Sequence, residues 1–376
     1  MSTNNNPDVL IIGGGIAGAS AAANLAQAGV KVVLVDMENQ FGYHTTGRSA
    51  ATFVGCYGNP TIRALSAASR PLFNSPPDGF CEHPILTPRG ALFVADEQHV
   101  GDLEKNIADP ANVGLLERLD TAAALKLSPT VRPEAAVLAS FEADAADIDV
   151  NALLQGYFKQ LRNSGCQVLT TAGVISLSHH GGTWEVKTRA GTFSTPVVVN
   201  AAGAWADEIG TLAGCTSIGL VPKRRTALTF DPGLEISNWP LTISVDEGWY
   251  FRPEGGDLLL SPADETPFKP CDVQPDEMDV ALCVDRIQRF TTMEVESLVS
   301  KRAGLRSFVF DKSPVVGFAE DADGFFWLAG QGGYGIQTAP AIAEFTTGLI
   351  LRGEVPVTLI AHGITMDTLS PARFRV

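Results

Sequence analysis

Apolar residues run unbroken through Val9-Leu10-Ile11-Ile12, give way to Gly13-Gly14-Gly15-Ile16-Ala17-Gly18, and return as the alanine-rich stretch Ala19 to Gly29 with Leu25 on its apolar face. A continuous β-rich run predicts a strand buried on both faces of a parallel sheet, and an alanine-rich stretch closed by a glycine predicts a helix. Lys31-Val32-Val33-Leu34-Val35-Asp36 predicts a second buried strand that ends in a carboxylate. These segments make one complete βαβ unit. A polar tail of seven residues precedes it. Residues 40 to 60, which follow, repeat Gly, Thr and Ser and read as a loop rather than a packed element.

Helical spacing recurs at Pro60 to Phe73, Val100 to Ile107, Thr121 to Leu127 and Val150 to Arg162, with a short strand at Ala91-Leu92-Phe93-Val94. Strand-like runs follow at 167–169, 174–177, 184–187 and 192–194. Pro196 to Gly203 reads as another buried strand entering a glycine turn, then a helix through Ala213. Residues 220 to 300 are rich in strands, prolines and turns, which predicts a different kind of layer. A last buried strand, Gly324 to Gly330, leads through Gln331-Gly332-Gly333-Tyr334-Gly335 into an alanine-rich helix, Pro340 to Leu351. Nucleotide-type elements therefore stand at the start, middle and end of the chain. This predicts a discontinuous α/β domain over 1–85, 147–219 and 304–376, with an α+β, strand-rich second domain over 86–146 and 220–303.

A length of 376 residues suits two domains at roughly 150 residues each, and 45% apolar with 18% charged residues is an ordinary globular composition. The 27 Lys and Arg against 42 Asp and Glu leave a net charge of −15, which opposes nucleic acid and anionic membranes as partners. A local basic cluster can still hold a small anion. The cysteines at 56, 81, 166, 215, 271 and 283 form no CxxC pair or CxxC…HxxxH pattern, so no metal site is expected, and they read as reduced thiols of a cytoplasmic protein. The apolar run from Val9 is broken by glycines and preceded by no basic region, unlike a signal peptide or transmembrane segment.

The GxGxxG run carries the first chemistry. Gly13 permits the tight turn, Gly15 lets the backbone approach a pyrophosphate, and Gly18 allows close helix–strand packing, while the helix N-terminus offers free N–H groups to the phosphate. Asp36, 18 residues beyond Gly18, stands where a ribose-binding carboxylate is expected and argues against a 2′-phosphate. NAD and FAD share this fingerprint.

Four further segments separate the two: Gly42 to Ala51 (GYHTTGRSAA), Val198 to Trp205, Gly304-Leu305-Arg306 and Gly332 to Gly335. Together they resemble the D-amino acid oxidase-type (DAO) family of FAD enzymes, which includes glycine oxidase, sarcosine oxidase and D-amino acid dehydrogenases. The likeness is nearest to the bacterial D-arginine dehydrogenase branch, through GYHTTGRSAA, GFCEHP, PKRR, AGLRSFV and QGGYGIQT. The resemblance implies an FAD-binding Rossmann-like domain of the glutathione reductase type and a strand-rich substrate-binding domain. By that resemblance Gly13, Gly15, Ile16, Ala17, Gly18 and Asp36 hold the ADP half of FAD, and Thr46, Arg48, Ser49 and Ala50 line the pyrophosphate and flavin. Val174 touches adenine through its backbone, and Ala202, Gly203 and Trp205 belong to a second dinucleotide-proximal turn. Gly304, Arg306, Gly332, Gly333, Tyr334, Gly335, Ile336 and Gln337 accompany the isoalloxazine.

Arg225 and Arg306, with the hydroxyls of Tyr57 and Tyr250, would grip a substrate carboxylate, and the Gly333 carbonyl is a candidate acceptor for the amine. Residue chemistry supports the clamp as well, because arginine offers a planar, permanently charged fork where lysine offers a point charge. In Lys223-Arg224-Arg225 the inward-pointing side chain stays open, and both tyrosines also suit a core. His44 and His83 invite a base or covalent-flavin role, yet the six histidines do not cluster. Ser307 and Phe308 stand where the sarcosine oxidase branch attaches flavin to a cysteine, which points to non-covalent FAD.

Two departures bear on the substrate. The D-arginine dehydrogenase type has a carboxylate in the segment matching Arg89-Gly90-Ala91, where this chain has Ala91, and Thr52, Phe53 and Val54 replace a more polar set. The expected activity is oxidation of neutral, apolar D-amino acids to imino acids by hydride transfer from Cα to flavin N5, with weak activity on D-Arg and D-Lys. Oxidation of sarcosine, glycine or a 2-hydroxy acid, or a flavin-binding subunit without turnover, are the alternatives. The electron acceptor, O2 or a quinone-type molecule, is not encoded in any motif.

Overall fold

The computed structural model describes residues 6–374, so the first five residues of the predicted tail lie outside the described residues. The βαβ unit forms as expected: β1 (Val9–Ile12) and β2 (Val32–Val35) pair in parallel around α1 (Ile16–Gln27). The helix starts at Ile16 rather than Ala19, because its first turn follows Gly15 directly and takes Gly18 inside. Strands Gln167–Leu169, Val197–Asn200 and Phe325–Ala329 extend this into a parallel sheet, closed at one edge by the antiparallel strand Val315–Phe318. β1 lies at its centre and is buried along its length.

One face of the sheet is covered by α1 with helices Pro60–Asn74, Val150–Asn163 and Gly335–Arg352. The last of these begins five residues earlier than the pattern suggests and carries Pro340 within it. The other face is covered by a three-stranded antiparallel sheet, Val174–His180, Thr183–Thr188 and Gly191–Thr195, whose Leu177, Trp184, Val186 and Phe193 pack on Leu10, Val33 and Val198. Helices on one face and a small antiparallel sheet on the other give the expected mixed α/β arrangement.

A second, nine-stranded sheet is built from segments either side of residue 200. Its strands include Ala91–Ala95, Leu138–Glu142, Val221–Phe230, Leu241–Ser244, Tyr250–Glu254, Asp257–Ser261 and Ser300–Phe308. Ser300–Phe308 crosses the 303/304 boundary expected from sequence. The region 220–300 also holds a 14-residue helix, Glu277–Phe290, that the strand-rich reading omitted. Only Cys283 and Ile287 of this helix are buried, so its apolar stripe is too thin to stand out among the surrounding prolines. Among the described residues no helix is long and apolar enough to cross a membrane, and all six cysteines are free.

Candidate active site

Two helix starts define the site. Neither Gly15, which precedes α1, nor Tyr334, which precedes Gly335–Arg352, offers a side-chain cap, so these helices leave backbone N–H groups and the positive end of their dipoles open. Gly15, Ile16 and Ala17 from the first, and Gly332, Gly333, Gly335 and Ile336 from the second, line one cavity of about 120 Å3. Thr46 supplies the one polar cap, its Oγ1 accepting from Ile16 N at 3.0 Å.

This cavity continues past Gly15, Thr45, Thr46, Ala201 and Gly203 into a larger one of about 780 Å3 that ends at Asp36. Asp36 accepts backbone N–H groups from Gly14 at 2.6 Å and Glu38 at 2.8 Å, and burial raises its carboxyl above the ordinary value despite those bonds. Gly13 has φ +110°, and a Cβ there would lie 2.3 Å from the Ala201 carbonyl oxygen, so only glycine allows the turn between β1 and α1. Val174, Ala202 and Trp205 line the larger cavity, with Gly203 at the junction. A long cleft with a buried carboxylate at one end and two helix starts midway fits an elongated dinucleotide diphosphate.

Arg225 and Arg306 come together at the other end. Their strands, Val221–Phe230 and Ser300–Phe308, pair antiparallel with Arg225 opposite Gly304 and Lys223 opposite Arg306. Both arginines therefore project from the same face, and Gly304 leaves the space between them clear. Of Lys223-Arg224-Arg225, the register turns Arg224 away, and of the two on this face only Arg225 lines the cavities. Arg224 turns to the far side, onto Asp279 at 2.8 Å, while Lys223 bonds Glu265 at 2.9 Å. Arg225, 7% exposed, donates from Nε to the Asp264 carbonyl at 2.9 Å and from Nη2 to Glu265 at 3.4 Å. No carboxylate among the described residues forms an ion pair with Arg306, and Tyr57, Tyr250, Tyr334 and Glu247 surround it.

Beyond the arginines is a small chamber of about 40 Å3, walled by Ala50, Thr52, Val54, Phe93, Leu241, Ile243 and Ala263 together with Tyr57, Tyr250, Glu247 and both arginines. Phe93, Ile243 and Tyr250 are successive cross-strand partners, which is why they form one wall. Burial alone would raise the Tyr250 phenol, but Arg306 and Arg225 outweigh it and bring it below its ordinary value. Burial and then Glu247 push the Tyr57 phenol up, and its hydroxyl donates to Glu247 Oε2 at 3.3 Å. An outer cavity of about 440 Å3 meets the chamber along Tyr57, Phe93, Ile243 and Glu247.

Several expected residues are placed differently. Arg48 lines the second cavity, but its guanidinium points outward to the carbonyls of Val273 at 3.1 Å and Ala303 at 3.0 Å and to Asp272. Tyr334 turns from the cleft and packs against Tyr57, with ring centroids 5.1 Å apart and the rings tilted by 57°. Gln337 lines none of these cavities: about 100° of helical turn beyond Ile336, its side chain bonds the Val54 backbone and Ser66 instead. His44 bonds Glu38 at 2.8 Å on the wall of the larger cavity, and His83 is exposed. Glu247, absent from the sequence-based site, follows Asp246 at φ +55° in a tight turn, and nothing in this local pattern sets it apart as a site residue.

The family model for FAD dependent oxidoreductases (DAO) matches residues 8–349. FAD-dependent oxidoreductase domain-containing protein 1 of Bos taurus is 26% identical over 409 residues, covering 92% of this chain and 82% of that protein. The crystal structure of L-proline dehydrogenase from P. horikoshii superposes with a TM-score of 0.86 at 21% identity, over 98% of both chains. That of glycine oxidase from Geobacillus kaustophilus gives 0.85 at 20% identity, over 98% of this chain and 99% of the other. These structures confirm the fold. The chain belongs to the DAO family of FAD dependent oxidoreductases.

Proposed function

We propose that this chain oxidises the Cα–N bond of small neutral amino acids of D configuration, giving imino acids that water converts to 2-oxo acids and ammonia. The observation that carries the reading is the Arg306 guanidinium, which faces the chamber beside the braced Arg225 and forms no ion pair among the described residues. Two converging guanidiniums with the Tyr57 and Tyr250 hydroxyls bind a carboxylate, and the 40 Å3 apolar chamber suits a small side chain. The D configuration rests on the likeness of GYHTTGRSAA, PKRR and AGLRSFV to D-arginine dehydrogenases.

When bound, FAD accepts the hydride that leaves Cα. Gly13, Gly15, Gly18, Asp36, Thr46, Ser49, Ala50, Val174 and Gly203 would hold it. No cysteine among the described residues lines the two cofactor cavities, which supports non-covalent attachment. The arginine pair fixes the carboxylate and so orients Cα–H, and the Gly333 carbonyl would accept a hydrogen bond from the neutral amine. The cofactor-binding domain is assigned to 1–85, 147–219 and 304–376, and the substrate-binding domain to 86–146 and 220–303.

Glu247 favours a second reading. Its carboxylate at the outer end of the chamber could meet a basic side chain, a role the sequence reading gave to no residue. Turnover of D-alanine, D-methionine, D-arginine, glycine, sarcosine and the L-enantiomers with an artificial electron acceptor, scored by 2-oxo acid and amine release, separates the readings. Neutral D-amino acids should lead; a preference for D-arginine moves the assignment to Glu247, and turnover of L-enantiomers alone overturns the stereochemistry.

A further inference from the structure

Tyr57 reaches the chamber from a short turn, Val54 to Tyr57, closed by a bond from Tyr57 N to the Val54 carbonyl at 3.4 Å. Two buried side chains from distant parts of the chain grip this turn. Glu142, fully buried at the end of strand Leu138–Glu142, accepts Gly55 N at 2.7 Å on one carboxylate oxygen and Cys56 N at 3.0 Å on the other. Gln337 accepts Val54 N at 3.2 Å and donates to the Val54 carbonyl at 3.3 Å. Every N–H from Val54 to Tyr57 is thereby assigned. Glu142 has no cation within ion-pair distance among the described residues, so its carboxylate is held by backbone N–H groups. Across the sheet its register partner is Ala91, a buried small residue packed with Val54 and Cys56.

An unpaired buried carboxylate is a demanding way to fix a loop, because it destabilises the fold unless its hydrogen bonds are met. We propose that Glu142 is a positioning residue: it clamps the Gly55-Cys56 peptide, with Gln337 as the second jaw, and so fixes the Tyr57 ring against Tyr334 and its hydroxyl at the chamber. This rests on the reading of Tyr57 as a substrate-site residue. It adds that a residue lining none of the cavities sets substrate affinity.

The test uses FAD-loaded protein and the best amino acid substrate. Glu142→Gln keeps one acceptor oxygen but sets an amide donor against the other N–H, so it should raise KM about tenfold with a smaller change in kcat and speed amide exchange over residues 52–58. Tyr57→Phe should raise KM alone, yet add little in the Glu142→Gln background. Glu142→Asp, which keeps the charge, should fall between; if Glu142→Gln does not fold, Glu142→Asp and Gln337→Met take its place in the same cycle. Additive effects with Tyr57→Phe, or unchanged exchange over 52–58, overturn the clamp. A Tyr57→Phe variant with unaltered KM, beside faster exchange in Glu142→Gln, overturns instead the role of Tyr57 and leaves Glu142 as a loop anchor.

Discussion

The Arg306 guanidinium packs so closely on Gly333 that a Cβ at residue 333 would lie 2.8 Å from Nη1. The glycine therefore shapes the anion site as much as the cofactor cleft. Gly333→Ala should push the guanidinium aside and lower kcat/KM by about 10- to 100-fold, as displaced catalytic groups do, while FAD content stays near wild type. Loss of FAD with unaltered KM in the residual holoenzyme contradicts this.

Arg306 itself supplies the charge. Arg306→Met should lower kcat/KM for an amino acid by about 10^2-fold or more, mainly through KM. Arg306→Lys should recover only part, because an ammonium lacks the planar fork. Steady-state kinetics at constant pH distinguish these outcomes. Equal activity of Lys and Arg at 306 would remove the bidentate argument.

Glu265 braces Arg225 from behind, bonding Lys223 at 2.9 Å, Arg225 at 3.4 Å and Lys312 at 3.5 Å. Burial pushes its carboxyl up, but the three cations outweigh burial and hold it below its ordinary value of 4.5. A depressed carboxyl stabilises the fold fully above its unfolded pKa and loses that contribution as pH falls through the folded value. Thermal unfolding should therefore show Glu265→Gln less stable than wild type at neutral pH, with the gap closing below about pH 4.5. A gap that widens in acid contradicts the sign.

Gly15 and Gly18 separate cofactor binding from folding. A Cβ on Gly18 would lie 1.9 Å from the Gly13 carbonyl oxygen, whereas one on Gly15 meets only Thr46 Oγ1 at 3.2 Å and otherwise faces the cleft. Gly18→Ala should destabilise the protein even without FAD, by about 1–3 kcal/mol through overpacking. Gly15→Ala should fold normally and bind FAD more weakly. Unfolding curves of FAD-stripped protein, with fluorescence titration of FAD, check both.

The parts of the fold that were legible share one physical property: their local pattern matches their final environment. β1 and β2 are uniformly apolar because both faces are covered, and the glycine run between β1 and α1 has no other use. Helix Glu277–Phe290 escaped notice because only Cys283 and Ile287 are buried, leaving polar residues around it. In the site, Arg225 and Arg306 were legible as chemistry, but their common face follows from the register of two strands about 80 residues apart in the sequence. Glu142, Glu247 and Glu265 carry no signal at all, since each gains its meaning only from segments that folding brings to it.

The most direct test is anaerobic mixing of the purified protein with single substrates while following the visible absorbance of its flavin. The purified protein should be yellow, bleached rapidly by small neutral D-amino acids and slowly by D-arginine and D-lysine, and left unchanged by 2-hydroxy acids. Bleaching by 2-hydroxy acids with none by any amino acid would contradict this.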